Sequence, residues 1–310
     1  MSIQAAPASP TVPATPSEAP FTSWDATLYV VTVLSWSVSW YALKVNADTF
    51  VAPTVSIVWR FVMAAAIMFV WVRATGGRLR FGPRDHAAFA AMGVTMFSTN
   101  FILFYHASET IVSGLLAVVF SLASVVNLTF NAARGQVAGA RRWFGAALGV
   151  CGIALLYWPQ LAGGASAVWG LMLCVAGTVS FCTGNVVSQA LQARAVPVLS
   201  ASAWGMAYGA IWAFVLALVL GFELTFDPRA DYVVSLLFLT LVSTVLAFWA
   251  YLNLVGRIGA GRAAYATVMF PIMALMVSTF IEDYEWTPLA LGGVALALLG
   301  NLFVLRGGRK

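Results

Sequence analysis

The stretch YVVSLLFLTLVSTVLAFWAYLNLV at residues 232–255 decides the class of this protein, because it runs for 24 residues without one charged side chain. At 1.5 Å of rise per residue, a helix of this length crosses a bilayer core of roughly 30 Å. Outward from it, the rest of the chain divides into further apolar stretches. Ten spans are predicted, at residues 26–43, 54–72, 87–105, 111–130, 143–158, 166–190, 200–222, 232–255, 263–281 and 286–305.

The loops between these spans differ in charge. Thirteen of the 16 Lys and Arg residues fall in alternate loops and the final tail: Arg73, Arg78, Arg80, Arg84, Arg134, Arg141, Arg142, Arg194, Arg257, Arg262, Arg306, Arg309 and Lys310. Acidic residues collect on the other side, at Asp48, Glu109, Glu223, Asp227, Asp231, Glu282, Asp283 and Glu285. Because Lys and Arg mark cytoplasmic loops, both termini are predicted to face the cytoplasm.

The composition agrees with a membrane protein. A chain that is 61% hydrophobic and 9% charged is predicted to be an all-α polytopic membrane protein, since transmembrane β-strands would show alternating segments and none appear. The net charge of +5 comes from separate short loops, so it indicates topology and no nucleic-acid partner is expected. Cys151, Cys174 and Cys182 lack C-x-x-C or Cys/His spacing, so neither a disulfide framework nor a metal site is predicted.

The two ends of the chain are predicted to be tails. Residues 1–25 are rich in Ala, Pro, Ser and Thr, and contain neither Lys nor Arg. This composition differs from a signal peptide and predicts a disordered cytoplasmic tail. Residues 306–310 are predicted to form a second, short cytoplasmic tail.

Two weak internal alignments indicate a duplication. Pro53 pairs with Pro197 at an offset of 144, and each precedes a span. At an offset of 147, two glycines pair with later ones: Gly114 with Gly261, and Gly145 with Gly292. The predicted halves are residues 26–160 and 161–305. Each half has five spans, so the second is inserted upside down relative to the first, as in many transporters.

These features together resemble a known family. Ten spans, inverted five-helix halves and the opening Pro53–x6–Arg60–Phe61 resemble the drug/metabolite transporter superfamily, specifically its EamA-type exporters, and within it the bacterial aromatic amino-acid exporters. The tryptophan-rich 35–40 stretch and Phe270-Pro271 add to the resemblance. Two departures are a missing acidic residue at 131–134 and Ser124 in place of a proline. The resemblance implies a multi-pass protein of the bacterial inner membrane, and peripheral fifth helices in each half, where a homodimer interface would lie.

Charged side chains inside the spans are nearly absent. Such groups are costly in a membrane and indicate function by default. No Asp or Glu lies deep in any span, and Arg60 is the single embedded charge. The resemblance places an arginine here outside the cavity, so a structural role is expected for Arg60. Without the buried carboxylate of a cationic-drug exporter or the buried Lys and Arg of a phosphate carrier, the expected substrate has zero net charge.

Aromatic and neutral polar side chains are then the candidate ligands. Trp36 and Trp40 share one helix face, and span eight presents two stripes, one with Phe248 and Tyr251 and another with Trp249. Span six, rich in Gly, Ser and Thr, is predicted to open locally and expose backbone carbonyls. The predicted substrate-binding residues are Trp36, Trp40, Asn100, Phe104, Phe120, Asn185, Phe248, Trp249 and Tyr251. Trp and Phe rings would take the substrate side chain. Its ammonium would meet Asn or backbone oxygens and aromatic faces, and its carboxylate would meet Asn or Tyr donors and exposed backbone amides.

The predicted function is a secondary transporter that exports aromatic or other neutral amino acids by alternating access around a midplane cavity between the repeats. Export of other neutral metabolites or drugs is the alternative, and a channel is a weaker one because no charge ring or filter loop is visible. Proton coupling and facilitated diffusion both stay open. No intramembrane Ser/His, paired Asp or His/Glu constellation exists, so neither enzyme activity nor a cofactor is expected. The expected partners are a small-molecule amino acid and the lipid bilayer.

Overall fold

The computed structural model describes residues 21–135, 137–161, 165–258, 263 and 265–306. Residues 1–20 of the predicted N-terminal tail and residues 307–310 of the C-terminal tail lie outside this part. The first helix begins at Ser23, inside the predicted tail, because Thr22 caps it. The backbone N–H of Thr22 donates to Asp25 Oδ2 at 2.8 Å, and the N–H of Asp25 donates to Thr22 Oγ1 at 3.3 Å. This reciprocal capping box satisfies two amides that a helix start otherwise leaves unpaired.

The described chain is built from helices. Their bounds are α1 Ser23–Ala47, α2 Pro53–Ala74, α3 Pro83–Ser108, α4 Ser113–Ala133, α5 Ala140–Leu161, α6 Ala165–Ala193, α7 Val198–Val219, α8 at 230–258, α9 Ala266–Ile281 and α10 Pro288–Arg306. Prolines open α2, α3 and α10, where a missing amide proton costs nothing.

Most of these helices are long and apolar enough to cross a bilayer. Eight meet both conditions in the described residues, and Val268–Ile281 is a shorter apolar helix. No strand occurs in the same residues. The prediction of an all-α polytopic membrane protein is therefore confirmed, and the count of ten spans stays a prediction. Helices of this kind are required because a bilayer core offers backbone amides no water to bond.

The helices pack in pairs that repeat along the chain. α1 packs on α8 and α9, while α6 packs on α3 and α4; α2 packs on α7, α4 on α9 and α5 on α10. If each helix in these pairs is replaced by the helix five positions away in chain order, the same set of packed pairs results. Such a pattern is what two similar halves would produce, and the division at residue 160 stays a prediction.

Two helices contain π-helical segments, at equivalent positions of the two predicted halves. Thr95–Thr99 interrupts α3, and Phe238–Leu246 lies within α8, between α-helical turns. In α8 the Thr244 hydroxyl donates to the carbonyl of Leu239 at 2.8 Å, five residues back. Single π turns inside α-helices often mark functional sites.

The structure contradicts the prediction that span six opens locally. α6 is a continuous α-helix over Ala165–Ala193. Its glycines serve close packing on α3: a Cβ at Gly184 would lie 2.9 Å from Thr95 Oγ1, and one at Gly177 would lie 3.1 Å from the Asn100 carbonyl oxygen. The small residues thus let two backbones approach, which is their usual role in membrane helices. Among the described helices, the backbone irregularities lie instead on α3 and α8, at their π segments, and on α4, where a turn at Ser121 and Leu122 interrupts the helix.

The glycines of α5 and α10 join these two helices to each other. A Cβ at Gly152 would lie 2.6 Å from the carbonyl oxygen of Gly293, and a Cβ at Gly145 would lie 2.7 Å from that of Gly300. These faces are therefore covered within one chain. A homodimer, if formed, would have to use other surfaces of α5 and α10.

Replacing Gly152 by Ala is expected to destabilise the protein, because the new methyl group would force α5 and α10 apart. Overpacking of this kind costs about 1–3 kcal/mol. The matched control is Gly149→Ala, three residues away, where a Cβ meets only Val125 Cγ2 at 3.7 Å; Ala favours the helix by about 1 kcal/mol there. Thermal unfolding in detergent should show a lower midpoint for Gly152→Ala only. Equal midpoints for the two variants would contradict the close α5–α10 contact.

Candidate functional site

The described part of the bundle contains a large cavity, with a volume of about 590 Å³. This volume lies within the usual range for sites that hold a small organic molecule. All but α5, α7 and α10 contribute aromatic rings to its wall. The aromatic lining residues are Trp36, Trp40, Phe61, Phe97, Phe101, Phe104, Phe120, Phe181, Phe248, Tyr251 and Phe270.

These rings form a continuous network rather than isolated contacts. Phe120 is at its centre, with ring centroids 5.4 Å from Trp40, 5.6 Å from Phe104 and 4.9 Å from Phe181. Trp36 forms a second cluster, 5.2 Å from Tyr251. Edge and tilted contacts at these distances are the favourable arrangements for aromatic pairs. The wall is therefore stabilised by the same rings that a flat apolar ligand would contact.

Eight of the nine predicted binding residues line this cavity. They are Trp36, Trp40, Asn100, Phe104, Phe120, Asn185, Phe248 and Tyr251. Trp249 does not: it follows Phe248 on α8, and its ring meets Trp24 edge-on at 6.4 Å. Of the two stripes on α8, only the one with Phe248 and Tyr251 lines the cavity. Whether the eight bind substrate stays a prediction.

The expectation that Arg60 lies away from the cavity is wrong. Arg60 is 2% exposed and belongs to the lining, where its Nη2 donates to Thr244 Oγ1 at 3.1 Å. Its guanidinium carbon lies 4.3 Å from the ring centroid of Phe101 and 5.2 Å from that of Phe61. The rotation of α2 about its axis, which a sequence pattern does not give, turns this side chain inward. The sequence signal was nevertheless present, because Arg60 is the single embedded charge.

The rest of the polar lining is neutral except near one end. Asn100 is 1% exposed, and its Oδ1 has no hydrogen-bond partner among the described residues. The π segments contribute Met96 and Phe97 from α3 and Ser243 and Thr244 from α8, which are not among the nine predicted binding residues. Among the described lining residues there is no Asp, Glu or His. The cavity therefore carries positive charge with no acidic side chain to balance it.

The cavity extends toward the end of the bundle that carries the arginine-rich loops. Asn131, Arg142, Gln192 and Leu305 line it there, and Gln192 is exposed to solvent. Two ion pairs at this end, Arg257 with Asp25 and Arg194 with Asp85, stand outside the lining. A small molecule could therefore enter from this end without breaking either pair.

The opposite end is closed by a cluster around Glu282, which directly follows α9. Lys44 Nζ of α1 donates to Glu282 Oε1 at 2.8 Å, and the Ser113 amide at the start of α4 donates to Oε2 at 3.2 Å. The hydroxyls of Ser113 and Ser278 also donate to this carboxylate and lie 3.0 Å from each other. One carboxylate thus joins three helices and caps the positive N-terminus of α4.

Glu282 stays ionised at neutral pH in this cluster. Burial raises the pKa of its carboxyl group, but the hydrogen bonds from Lys44, Ser113 and Ser278 and the charge of Lys44 outweigh burial and leave the pKa below its usual value. Separating α1, α4 and α9 at this end therefore requires breaking a charged cluster. None of these four residues belongs to the cavity lining.

Comparison with known proteins agrees with this architecture. The model of the EamA-like transporter family matches residues 23–158 and again residues 168–306. The inner membrane transporter YedA of Escherichia coli (strain K12) is 23% identical over 281 residues, covering 88% of this chain and 87% of that protein. A probable amino-acid metabolite efflux pump of the same strain is 24% identical over 297 residues, covering 91% and 96%. Among solved structures that share the fold, a crystal structure aligns with a TM-score of 0.64 at 16% identity over 93% of this chain and 99% of that one.

Proposed function

This chain belongs to the EamA-like transporter family, and from that premise we propose that it exports aromatic or other large neutral amino acids across the bacterial inner membrane. The observation that carries the proposal is the cavity of about 590 Å³, whose wall of linked aromatic rings contains no acidic side chain among the described lining residues. A cationic drug would require a carboxylate there. An aromatic side chain instead finds flat partners on several sides. The similarity to a probable amino-acid metabolite efflux pump supports the same substrate class.

The proposed mechanism is alternating access between two five-helix halves, with both termini in the cytoplasm. The cavity extends to the arginine-rich end, which is the predicted cytoplasmic side, while the Glu282 cluster closes the other end. The described conformation is then the one that loads substrate from the cytoplasm. Export requires the halves to rock so that the Glu282 cluster opens and the arginine-rich end closes.

Counterflow in proteoliposomes tests this proposal. Vesicles are preloaded with one unlabelled amino acid, and entry of a trace of labelled phenylalanine or tryptophan is followed. We expect accelerated, saturable entry with mutual competition among large neutral amino acids, because a carrier returns loaded faster than empty. Entry that is linear in concentration would indicate a channel. No acceleration by any amino acid, from protein shown to be folded, would exclude this substrate class and leave other neutral metabolites or drugs.

A further inference from the structure

Arg60 is a buried cation with hydrogen-bonding capacity that the protein does not use. Its Nη2 bonds to Thr244, but Nε and Nη1 are buried and have no acceptor among the described residues. A guanidinium carries five N–H donors and cannot lose its proton in a protein. Buried charges are normally paired, because an unpaired one is expensive in a region of low dielectric constant. The Tyr105 hydroxyl also interacts with this guanidinium, but an uncharged hydroxyl does not neutralise it.

The surroundings of Arg60 hold its guanidinium in place without neutralising it. Phe101 and Phe61 lie against it at 4.3 and 5.2 Å, and Thr244 bonds one nitrogen. Aromatic faces orient a guanidinium by cation–π attraction while leaving its N–H edges free. A group so placed is preorganised to receive a planar anion with two oxygens, which is the shape of a carboxylate.

A second unpaired atom lies in the same cavity. Asn100 Oδ1, on α3, is buried and has no hydrogen-bond donor among the described residues. An amide oxygen is an acceptor and suits an ammonium group, whereas the Arg60 nitrogens are donors and suit a carboxylate. At the exposed end of the cavity, Arg142 adds a second positive charge, and no acidic residue opposes either arginine in the described lining.

We propose that Arg60 is the carboxylate anchor of the cavity, so that the transported molecule must carry a free carboxylate beside its aromatic or apolar body. The identification of the molecule as an amino acid rests on the proposed function; the requirement for a carboxylate rests on Arg60. Thr244 takes only one of the two Nη2 protons, so one edge of the guanidinium, Nη1 with Nη2 or Nε with Nη2, donates to the two carboxylate oxygens. Asn100 accepts from the ammonium group. Molecules with an amine but no carboxylate are rejected by the positive field of Arg60 and Arg142.

Equilibrium binding to the detergent-purified full chain tests the anchor separately from transport. Trp36 and Trp40 line the cavity, so their fluorescence reports occupancy. The three ligands are phenylalanine, phenylalaninamide, which lacks the carboxylate, and hydrocinnamate, which lacks the amine. We expect phenylalanine to bind about 100-fold more tightly than its amide, and hydrocinnamate to bind more tightly than the amide.

Substitution of Arg60 should change the preference for phenylalanine over its amide, and not merely lower the stability of the protein. Arg60→Gln is expected to reduce phenylalanine affinity about 100-fold and to change amide affinity less than about threefold; Arg60→Lys keeps the charge but loses the planar fork, with a loss of about tenfold. The matched control is Arg141→Gln, which removes an exposed guanidinium that lies over the Phe303 ring and outside the cavity lining. Its ligand preference should equal that of the original protein.

Two results would overturn the anchor. One is equal binding of phenylalanine and its amide by the unsubstituted protein, a result that does not depend on whether any variant folds. The other is an unchanged ratio of the two affinities in Arg60→Gln. Failure of all three ligands to bind would count against the anchor as well. Carboxylate-selective binding without amino-acid counterflow would instead retain the anchor and contradict the proposed function.

Discussion

Oxidation of a Ser113→Cys, Ser278→Cys variant should abolish counterflow, and a membrane-permeable reductant should restore it. The two hydroxyl oxygens are 3.0 Å apart, so sulfur atoms at these positions are close enough to bond with small adjustments. Ser113 opens α4, and Ser278 lies in the last turn of α9. A covalent link there holds the end opposite the arginine-rich loops closed, and a carrier that cannot open one side cannot complete its cycle. The counterflow rate should fall at least about tenfold.

The controls separate a blocked cycle from general damage. Each single cysteine variant, oxidised in the same way, should retain its rate. Cys151 is exposed, so the variants are best made in a Cys151→Ser background, while Cys174 and Cys182 are buried and inaccessible to the oxidant. The measurement is initial labelled uptake before oxidation, after it and after reduction. Full counterflow by protein shown to be cross-linked would mean that α4 and α9 do not separate at this end during transport.

Truncation of the cavity tryptophans should weaken substrate binding strongly. Trp36 and Trp40 are four residues apart on α1 and contact different parts of the ring network, Tyr251 at 5.2 Å and Phe104 at 5.2 Å respectively. Removing a buried aromatic anchor from a binding site costs about 2 kcal/mol or more, which is roughly a 30-fold rise in the half-saturating concentration. Trp36→Ala and Trp40→Ala should each show this rise when counterflow is measured against phenylalanine concentration.

Trp249→Ala is the matched control for these variants. It removes the same ring from the residue next to Phe248, but on a face that packs on Trp24 and away from the cavity. Its half-saturating concentration should stay within about threefold of the original value even if the protein becomes less stable. A loss as large as that of Trp36→Ala would place the substrate site outside the described cavity.

Most of the predicted binding set lines the cavity because rings spaced three or four residues apart share a helix face. Trp36 and Trp40 follow this rule, as do Phe248 and Tyr251. Trp249 is one residue from Phe248, and one residue turns an α-helix by about 100°, which here brings the Trp249 ring to the face that packs on Trp24. To predict which of the two stripes on α8 lines the cavity, one must know how α8 is rotated about its axis. The π segment at Phe238–Leu246 alters that rotation, and no pattern in the sequence predicted this segment.

The glycine-rich helix α6 shows a different limit. Gly177, Thr178, Ser180 and Gly184 suit either an opened helix or a tightly packed one, because the same small side chains serve both. Contacts with the neighbouring helix α3 decide between these two alternatives. The Ser180 hydroxyl donates to the carbonyl of Thr95 at 2.8 Å, at the π segment of α3. The irregular backbone lies on α3, and α6 is the regular helix that packs against it.

The sequence by itself determined the all-α membrane class and the aromatic character of the helices around the cavity. It also carries the charge asymmetry of the loops, on which the proposed orientation depends. These are local properties, because the cost of placing a charge or an unpaired amide in hydrocarbon acts on each segment separately. Only the tertiary structure decided that Arg60 and not Trp249 lines the cavity, and that Glu282 joins three helices at one end. Both depend on how each helix is rotated about its axis. That rotation is determined by contacts between residues that are distant in the chain.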